Sequence, residues 1–291
     1  MNELAVLWVG LIGFAIIMYV ILDGFDLGIG ILTLFTKDEH TRDLMISTIL
    51  PLWDGNQTWL VFGGASLYGA FPLAFGTVLP ILYIPILIMV SALLLRGVAF
   101  EFHSKAERTK PIWEFAFGFG SILAALIQGI MLGNFVKGFP IPTNGVTSSF
   151  DWLSPFTVVC GVALCFGYAL LGSNWLIAKT IEHIQQQAYK MSRICLGIVG
   201  LFALAISFWS PFVSSAIFIR WFNVDTFPVL AMIPIATTLL FLWHWHALEV
   251  EHEVEPFVLS IAIFLLCYLG FGISTWPYIV PRYLTISQAS G

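Results

Sequence analysis

Residues 21–30, ILDGFDLGIG, place Asp23 and Asp26 three positions apart at the end of an apolar run that begins near Leu4. A helix that crosses a bilayer needs about 20 mostly apolar residues, and this run is long enough. The rest of the chain decides whether these carboxylates meet lipid. Of its 291 residues, 59% are hydrophobic and 10% charged, far from the balance of a soluble domain. The composition therefore predicts an all-α, polytopic membrane protein. About eight stretches have spanning length, approximately 4–33, 45–71, 77–102, 112–137, 154–179, 191–215, 228–247 and 256–279. Almost nothing remains for a soluble domain.

The opening MNELAVLWVGLIG has neither a basic n-region nor an A-x-A cleavage site, so the first span is expected to be retained rather than removed as a signal peptide. Orientation follows from the basic residues. Lys37 and Arg42, then Lys105, Arg108 and Lys110, then Lys179, Lys190 and Arg193 follow the first, third and fifth spans. The opposite side holds Lys137, Arg220 and Arg282. The positive-inside rule places the odd-numbered connections in the cytoplasm and the N-terminus outside. EVEHEVE, residues 249–255, lacks basic residues on that inner side, but acidic residues weigh little in this rule.

A net charge of −5 without basic clusters argues against nucleic acid as a partner. Cys160, Cys165, Cys195 and Cys267 fall inside predicted spans without C-x-x-C spacing, and read as small buried hydrophobes.

The intramembrane charges carry the chemistry. With this orientation Asp23 and Asp26 lie on the cytoplasmic half of the first helix, about one turn apart on neighbouring faces. The second span rises through PLWDGNQTWL, residues 51–60, and brings Asp54, Asn56, Gln57 and Thr58 to a similar depth. The third returns and ends LLLRGVAFEF, residues 93–102, which delivers Arg96 and Glu101 to the same layer. Three carboxylates and a cation are thus expected to gather on one side of the bilayer. Ionisable groups in a span are costly unless paired or hydrated, so they face the bundle interior or a water-filled path. There they can load and release protons, or act only as interfacial caps and structural ion pairs. Gly24, Gly28 and Gly30 allow close helix contact in either case, with Gly24 and Gly28 spaced as a small-x-x-x-small pair.

The six histidines, His40, His103, His183, His244, His246 and His252, are placed in cytoplasmic connections or at inner helix ends. In WHWH, residues 243–246, the imidazoles are two apart and point about 200° from each other, so one helix face cannot chelate a metal with both. An interfacial aromatic belt is the expectation there. No H-E-x-x-H, G-x-x-x-x-G-K or Ser/His/Asp arrangement is found, and no metal site is expected in this chain.

LDGFDLGIG, WDGNQTWL, LLLRGVAFEF, GNFVKGFP (residues 133–140) and WPYIVP (residues 276–281) occur in the order found in subunit II of the cytochrome bd-type quinol oxidases. The chain resembles that family over essentially its whole length. The resemblance implies two four-helix bundles, residues 1–145 and 146–291, plus a peripheral helix. It implies a subunit that holds no haem and pairs with a haem-bearing subunit I of the same fold, which carries haems b558, b595 and d. Such a complex, in a bacterial-type inner membrane, oxidises quinol on the outer side and reduces O2 to water with protons from the cytoplasm. Asp23, Asp26 and Asp54 match the family's acidic positions, which implies a proton route towards subunit I. Arg96 matches the arginine of the third helix, read as an ion pair that positions the aspartates, with Glu101 beside it. Trp53, Asn56 and Gln57 complete the second-helix motif.

Two departures stand out. Family members often carry Asp and Arg where this chain has Glu101 and His103, which puts a role for His103 in doubt. The family pattern also continues into a further helix, whereas this chain stops at LTISQASG. The last peripheral helix is thus expected to be missing, or its place filled by a small single-helix accessory subunit. The boundary between the halves falls near residue 145, in FPIPTNGVTSSFDW.

Two other classes use the same residues. A proton-coupled transporter would couple the carboxylates to substrate movement, but the buried charge is concentrated in one half, against the symmetry of such folds. A scaffold would need them only for assembly. The 26 Phe and 11 Trp suit lipid-facing packing, and also apolar paths for O2.

Overall fold

The computed structural model describes residues 3–103, 105–139, 150–224 and 227–290. Along the chain run α1 (Glu3–Thr33), α2 (Glu39–Ser47), α3 (Trp53–Ala70), α4 (Pro72–His103), α5 (Lys110–Lys137), α6 (Pro155–Lys179) and α7 (Glu182–Val213). They are followed by α8 (Ser215–Trp221), α9 (Phe227–Leu230), α10 (Met232–Glu249), α11 (Glu255–Thr275), β1 (Tyr278–Val280), β2 (Leu284–Thr285) and α12 (Ile286–Ala289). Among the described residues, seven helical stretches are long and apolar enough to cross a membrane: α1, α4, α5, α6, α7, α9 continued by α10, and α11. The chain is an all-α, polytopic membrane protein.

The expected span over 45–71 needs correction. The chain there divides into the short α2, a turn through Pro51, and α3 of 18 residues. Proline has no N–H to continue a helical ladder, and the first turns of α3 spend their length on Asp54, Gly55, Asn56 and Gln57. The helix is left short and polar at one end. α2 is set by Asp38, whose carboxylate accepts from the Thr41 amide at 2.8 Å and the Thr41 hydroxyl at 2.6 Å. These bonds hold the Asp38 carboxyl below its ordinary value. Most of the connection placed near residue 145 lies outside the described residues.

α1 is the central element and packs against α3, α5 and α6, while α4 lies on α5 and α6 lies on α7 and α11. Every residue from Asp23 to Thr33 is buried. Such enclosure requires close backbone approach, and it occurs where Gly28 of α1 meets Gly172 of α6. A methyl group on Gly28 would overlap the carbonyl of Tyr168. The outer surface is apolar: Leu204, Phe208 and Phe212 on α7 are each more than 70% exposed, as suits contact with lipid chains or with another apolar surface.

After α11 the antiparallel pair β1–β2 and α12 fold back onto α4 and onto α1. Val280, Leu284, Ile286 and Ala289 join the same apolar cluster as Ala5 near the start of α1.

Candidate functional site

Asp23 and Asp26 of α1 are fully buried, and Arg96 of α4 is 1% exposed. Arg96 Nη1 donates to Asp23 Oδ1 at 2.7 Å, and Arg96 Nη2 lies 3.8 Å from Asp26 Oδ2. Asn56, at the start of α3, donates through Nδ2 to Asp26 Oδ2 at 2.8 Å and to the Leu22 carbonyl at 3.2 Å. Three helices thus supply one site with two acids, one guanidinium and one amide.

The site is not saturated. Asp23 Oδ2, Asp26 Oδ1, Arg96 Nε and Arg96 Nη2 are buried without a hydrogen-bond partner. Two carboxylates share one fixed positive charge in a region where unpaired charge is expensive.

A polar line continues along α1. One turn before Asp23, the Tyr19 hydroxyl accepts from Gln128 Nε2 of α5 at 2.7 Å, and Gln128 Oε1 accepts from the Tyr168 hydroxyl of α6 at 2.8 Å. Sequence reading missed all three as site neighbours. The signal was Gln128, an amide in the apolar stretch ALIQGIM.

Asp54 does not join the site. It is exposed on α3, because Asn56 turns towards α1 and a residue two positions earlier points about 200° away. The expected gathering of three carboxylates is therefore two. Glu101 is exposed as well and lies 3.8 Å from Lys105, just beyond the end of α4. Five residues on from Arg96, it points about 140° away from that face. Trp53 is half-buried with its ring against Phe100 at 5.0 Å, and Gln57 is half-buried with its Nε2 unpartnered. His103, seven residues on from Arg96, returns to the same stripe of α4 and is buried against Asp43 and Glu114.

His244 corrects the interfacial reading of WHWH. Its ring is fully buried and accepts from Asn174 Nδ2 at 3.1 Å, while Trp243 and Trp245 are exposed and carry the belt. The implied haem can be tested against these groups. His103 and His244 are the buried imidazoles among the described residues, and each is enclosed by protein side chains. Neither borders the apolar groove of about 310 Å³ between Leu87, Ile88, Ser91, Ala92, Leu95 and Leu123.

Comparison with known proteins places this geometry. A "Probable cytochrome oxidase subunit 2" of Haemophilus influenzae is 33% identical over 69% of this chain and 55% of its own length. The "Cytochrome bd ubiquinol oxidase subunit 2" of Bacillus subtilis is 33% identical over 73% of this chain and 64% of its own length. The chain thus spans less than two thirds of the length of these two relatives. The "Cytochrome bd-I ubiquinol oxidase subunit 2" of Escherichia coli K12 is 26% identical over 94% of this chain and 81% of its own length. The fold matches a chain of the bd oxidase from Geobacillus thermodenitrificans with a TM-score of 0.79, at 20% identity, over 98% of this chain and 88% of that one. The family model described as cytochrome bd terminal oxidase subunit II matches residues 4–291, and the chain belongs to that family.

Proposed function

We propose that the chain serves as the subunit without haem in a terminal respiratory oxidase, one that oxidises quinol and reduces O2 to water. Its partner is a haem-bearing subunit I that carries haems b558, b595 and d, with room for a small single-helix accessory subunit. The relatives named for ubiquinol oxidation support the substrate class, and the enclosed imidazoles His103 and His244 support haem being held elsewhere.

The observation that carries the proton role is the buried group of Asp23, Asp26 and Arg96, two acids with one counter-charge and an unpartnered oxygen on each acid. In this reading the N-terminus lies outside, and protons reach Asp23 and Asp26 from the cytoplasmic side. Arg96 and Asn56 position the two acids. Asp54, exposed two residues from Asn56, passes protons to the surface that meets subunit I. The halves 1–145 and 146–291 divide the labour, the first holding the acids and the second packing against it through α6.

The test is a reduced-minus-oxidised spectrum and quinol-driven O2 uptake of the complex that co-purifies with this chain. Bands of b- and d-type haem with quinol-driven uptake are expected. Asp54→Asn should then keep haem content while uptake slows, and equal turnover in variant and parent sinks the relay. Variants at Asp23 and Asp54 that lose assembly while turnover per haem stays normal would favour the scaffold, and a colourless complete preparation would favour the transporter.

A further inference from the structure

The oxidase reading leaves unused a second group of charged side chains, at the end of α4. His103 Nε2 lies 3.2 Å from Asp43 Oδ1 of α2 and 3.5 Å from Glu114 Oε1 of α5. All three donor atoms lie within 4.8 Å of one another. Each is buried without a hydrogen-bond partner, and Glu114 is only 7% exposed.

The remaining oxygens of both acids are already engaged. Arg42 Nη2 lies 2.8 Å from Glu114 Oε2, and Lys110 Nζ lies 2.7 Å from Asp43 Oδ2. This leaves one free oxygen on each acid, and both are turned towards the imidazole. A tetrahedral ion with ligands at about 2.0–2.2 Å holds its donors roughly 3.3–3.6 Å apart. The 3.5 Å spacing from His103 to Glu114 falls in that range and the 3.2 Å spacing to Asp43 lies about 0.1 Å below it.

We propose that Asp43, His103 and Glu114 form a divalent-metal site of the zinc class, with water as the fourth ligand. One imidazole nitrogen and two carboxylate oxygens suit Zn²⁺ better than the all-oxygen shells of Mg²⁺ or Ca²⁺. The partly exposed Asp43 side chain gives an ion access from water. Arg42 and Lys110 orient the acids as outer partners, and their charges temper affinity, so the ion is exchangeable. The bound ion would tie the surface helix α2 to α4 and α5.

His103 lies two turns, about 10 Å, from Arg96 on α4. Phe100 lies between them in sequence, packed against Trp53 and Phe117 at 5.0 and 5.7 Å. The metal site and the buried acids are therefore separate, and the proposal does not rest on the oxidase reading.

The test uses the intact chain purified with its native partners, stripped with a chelator and titrated with Zn²⁺ alone under equilibrium dialysis. One zinc per chain is expected, with an absorption-edge spectrum of one imidazole and oxygen donors at about 2.0–2.1 Å. His103→Gln and Glu114→Gln should each weaken binding by on the order of 100-fold. His103→Asp, which retains a donor, should bind between parent and glutamine variant, and Asp54→Asn should bind as the parent does. A parent that binds no zinc, a shell without imidazole, or unchanged affinity in His103→Gln overturns the site. If His103→Gln does not accumulate, Glu114→Gln and the parent spectrum decide by the same criteria.

Discussion

Asp23, Asp26 and Arg96 in the first half of the chain are as deeply buried as Asn174, Ser192 and His244 in the second, yet the two groups differ in charge and in how far they are satisfied. In the second, Ser192 donates to Asn174 Oδ1 at 2.6 Å and Asn174 donates to His244 Nε2 at 3.1 Å. That neutral chain joins α6, α7 and α10 and leaves one buried atom, His244 Nδ1, without a partner against four in the charged group; a buried network that is largely satisfied stiffens a core. The first group carries three formal charges and leaves an oxygen open on each acid. On the proposed reading equal burial serves two ends: the neutral network fixes helices, and the under-paired charged one keeps capacity to bind a proton.

The largest break in that contrast is Arg96→Ala. It leaves two carboxylates in the interior without their counter-charge, a change worth about 3–5 kcal/mol. The expected result is loss of the assembled complex, measured as haem-bearing protein recovered from membranes. Adding Asp23→Asn and Asp26→Asn to Arg96→Ala removes the stranded charge and should restore recovery without restoring O2 uptake. If recovery stays low in the triple variant, guanidinium packing matters more than charge.

Asp26→Asn sharpens the contrast from the other side. The amide still presents an oxygen to Asn56, so assembly and haem spectra should stay close to those of the parent. Quinol-driven uptake should fall by on the order of 100-fold, within the range for loss of a positioned proton-transfer group. Normal turnover would reduce the charged site to a stitch like its neutral counterpart.

The charged site was partly legible in the sequence because alternating span direction sets depth, and depth brought Asp23, Asp26 and Arg96 together. Facing was the harder quantity. The 100° step of a helix already separates Glu101 from Arg96 and returns His103 to its side, but nothing local says whether Asp54 or Asn56 faces α1. That choice is made by packing, as is the contact of Tyr19 with Gln128 and Tyr168, which are far apart in the chain. In WHWH the same two-residue spacing requires opposite faces, and packing turned His244 inward and left His246 exposed. The bounds 45–71 were too wide for a local reason, since Pro51 and the polar start of α3 break an otherwise apolar run and leave the helix at Trp53–Ala70. Gly24 and Gly28 fared better. The spacing signalled close contact, and the partner proved to be α6 around Tyr168 and Gly172.

Ser192→Ala probes the neutral group. It leaves Asn174 Oδ1 without its donor in the interior, at a cost of about 1–3 kcal/mol. Thermal stability of the purified complex should fall while turnover per haem is unchanged. A turnover loss comparable to that of Asp26→Asn would mean that the second half also takes part in proton movement.

Glu101→Gln should have the smallest effect, and it tests whether sharing a membrane depth with Arg96 is enough to matter. Glu101 is exposed, and the ion pair with Lys105 spans 3.8 Å between side chains both more than half exposed. An exposed pair of that kind contributes about 0.2–1 kcal/mol and is screened by salt. Stability should change by no more than that, and O2 uptake of this chain in complex should match the parent at low and high ionic strength. A marked slowing would mean that the partner subunit covers Glu101 and draws it into the proton path. The functional surface would then run from the buried acids out along α4, and the division between a working interior and an inert outer face would have to be redrawn at that helix.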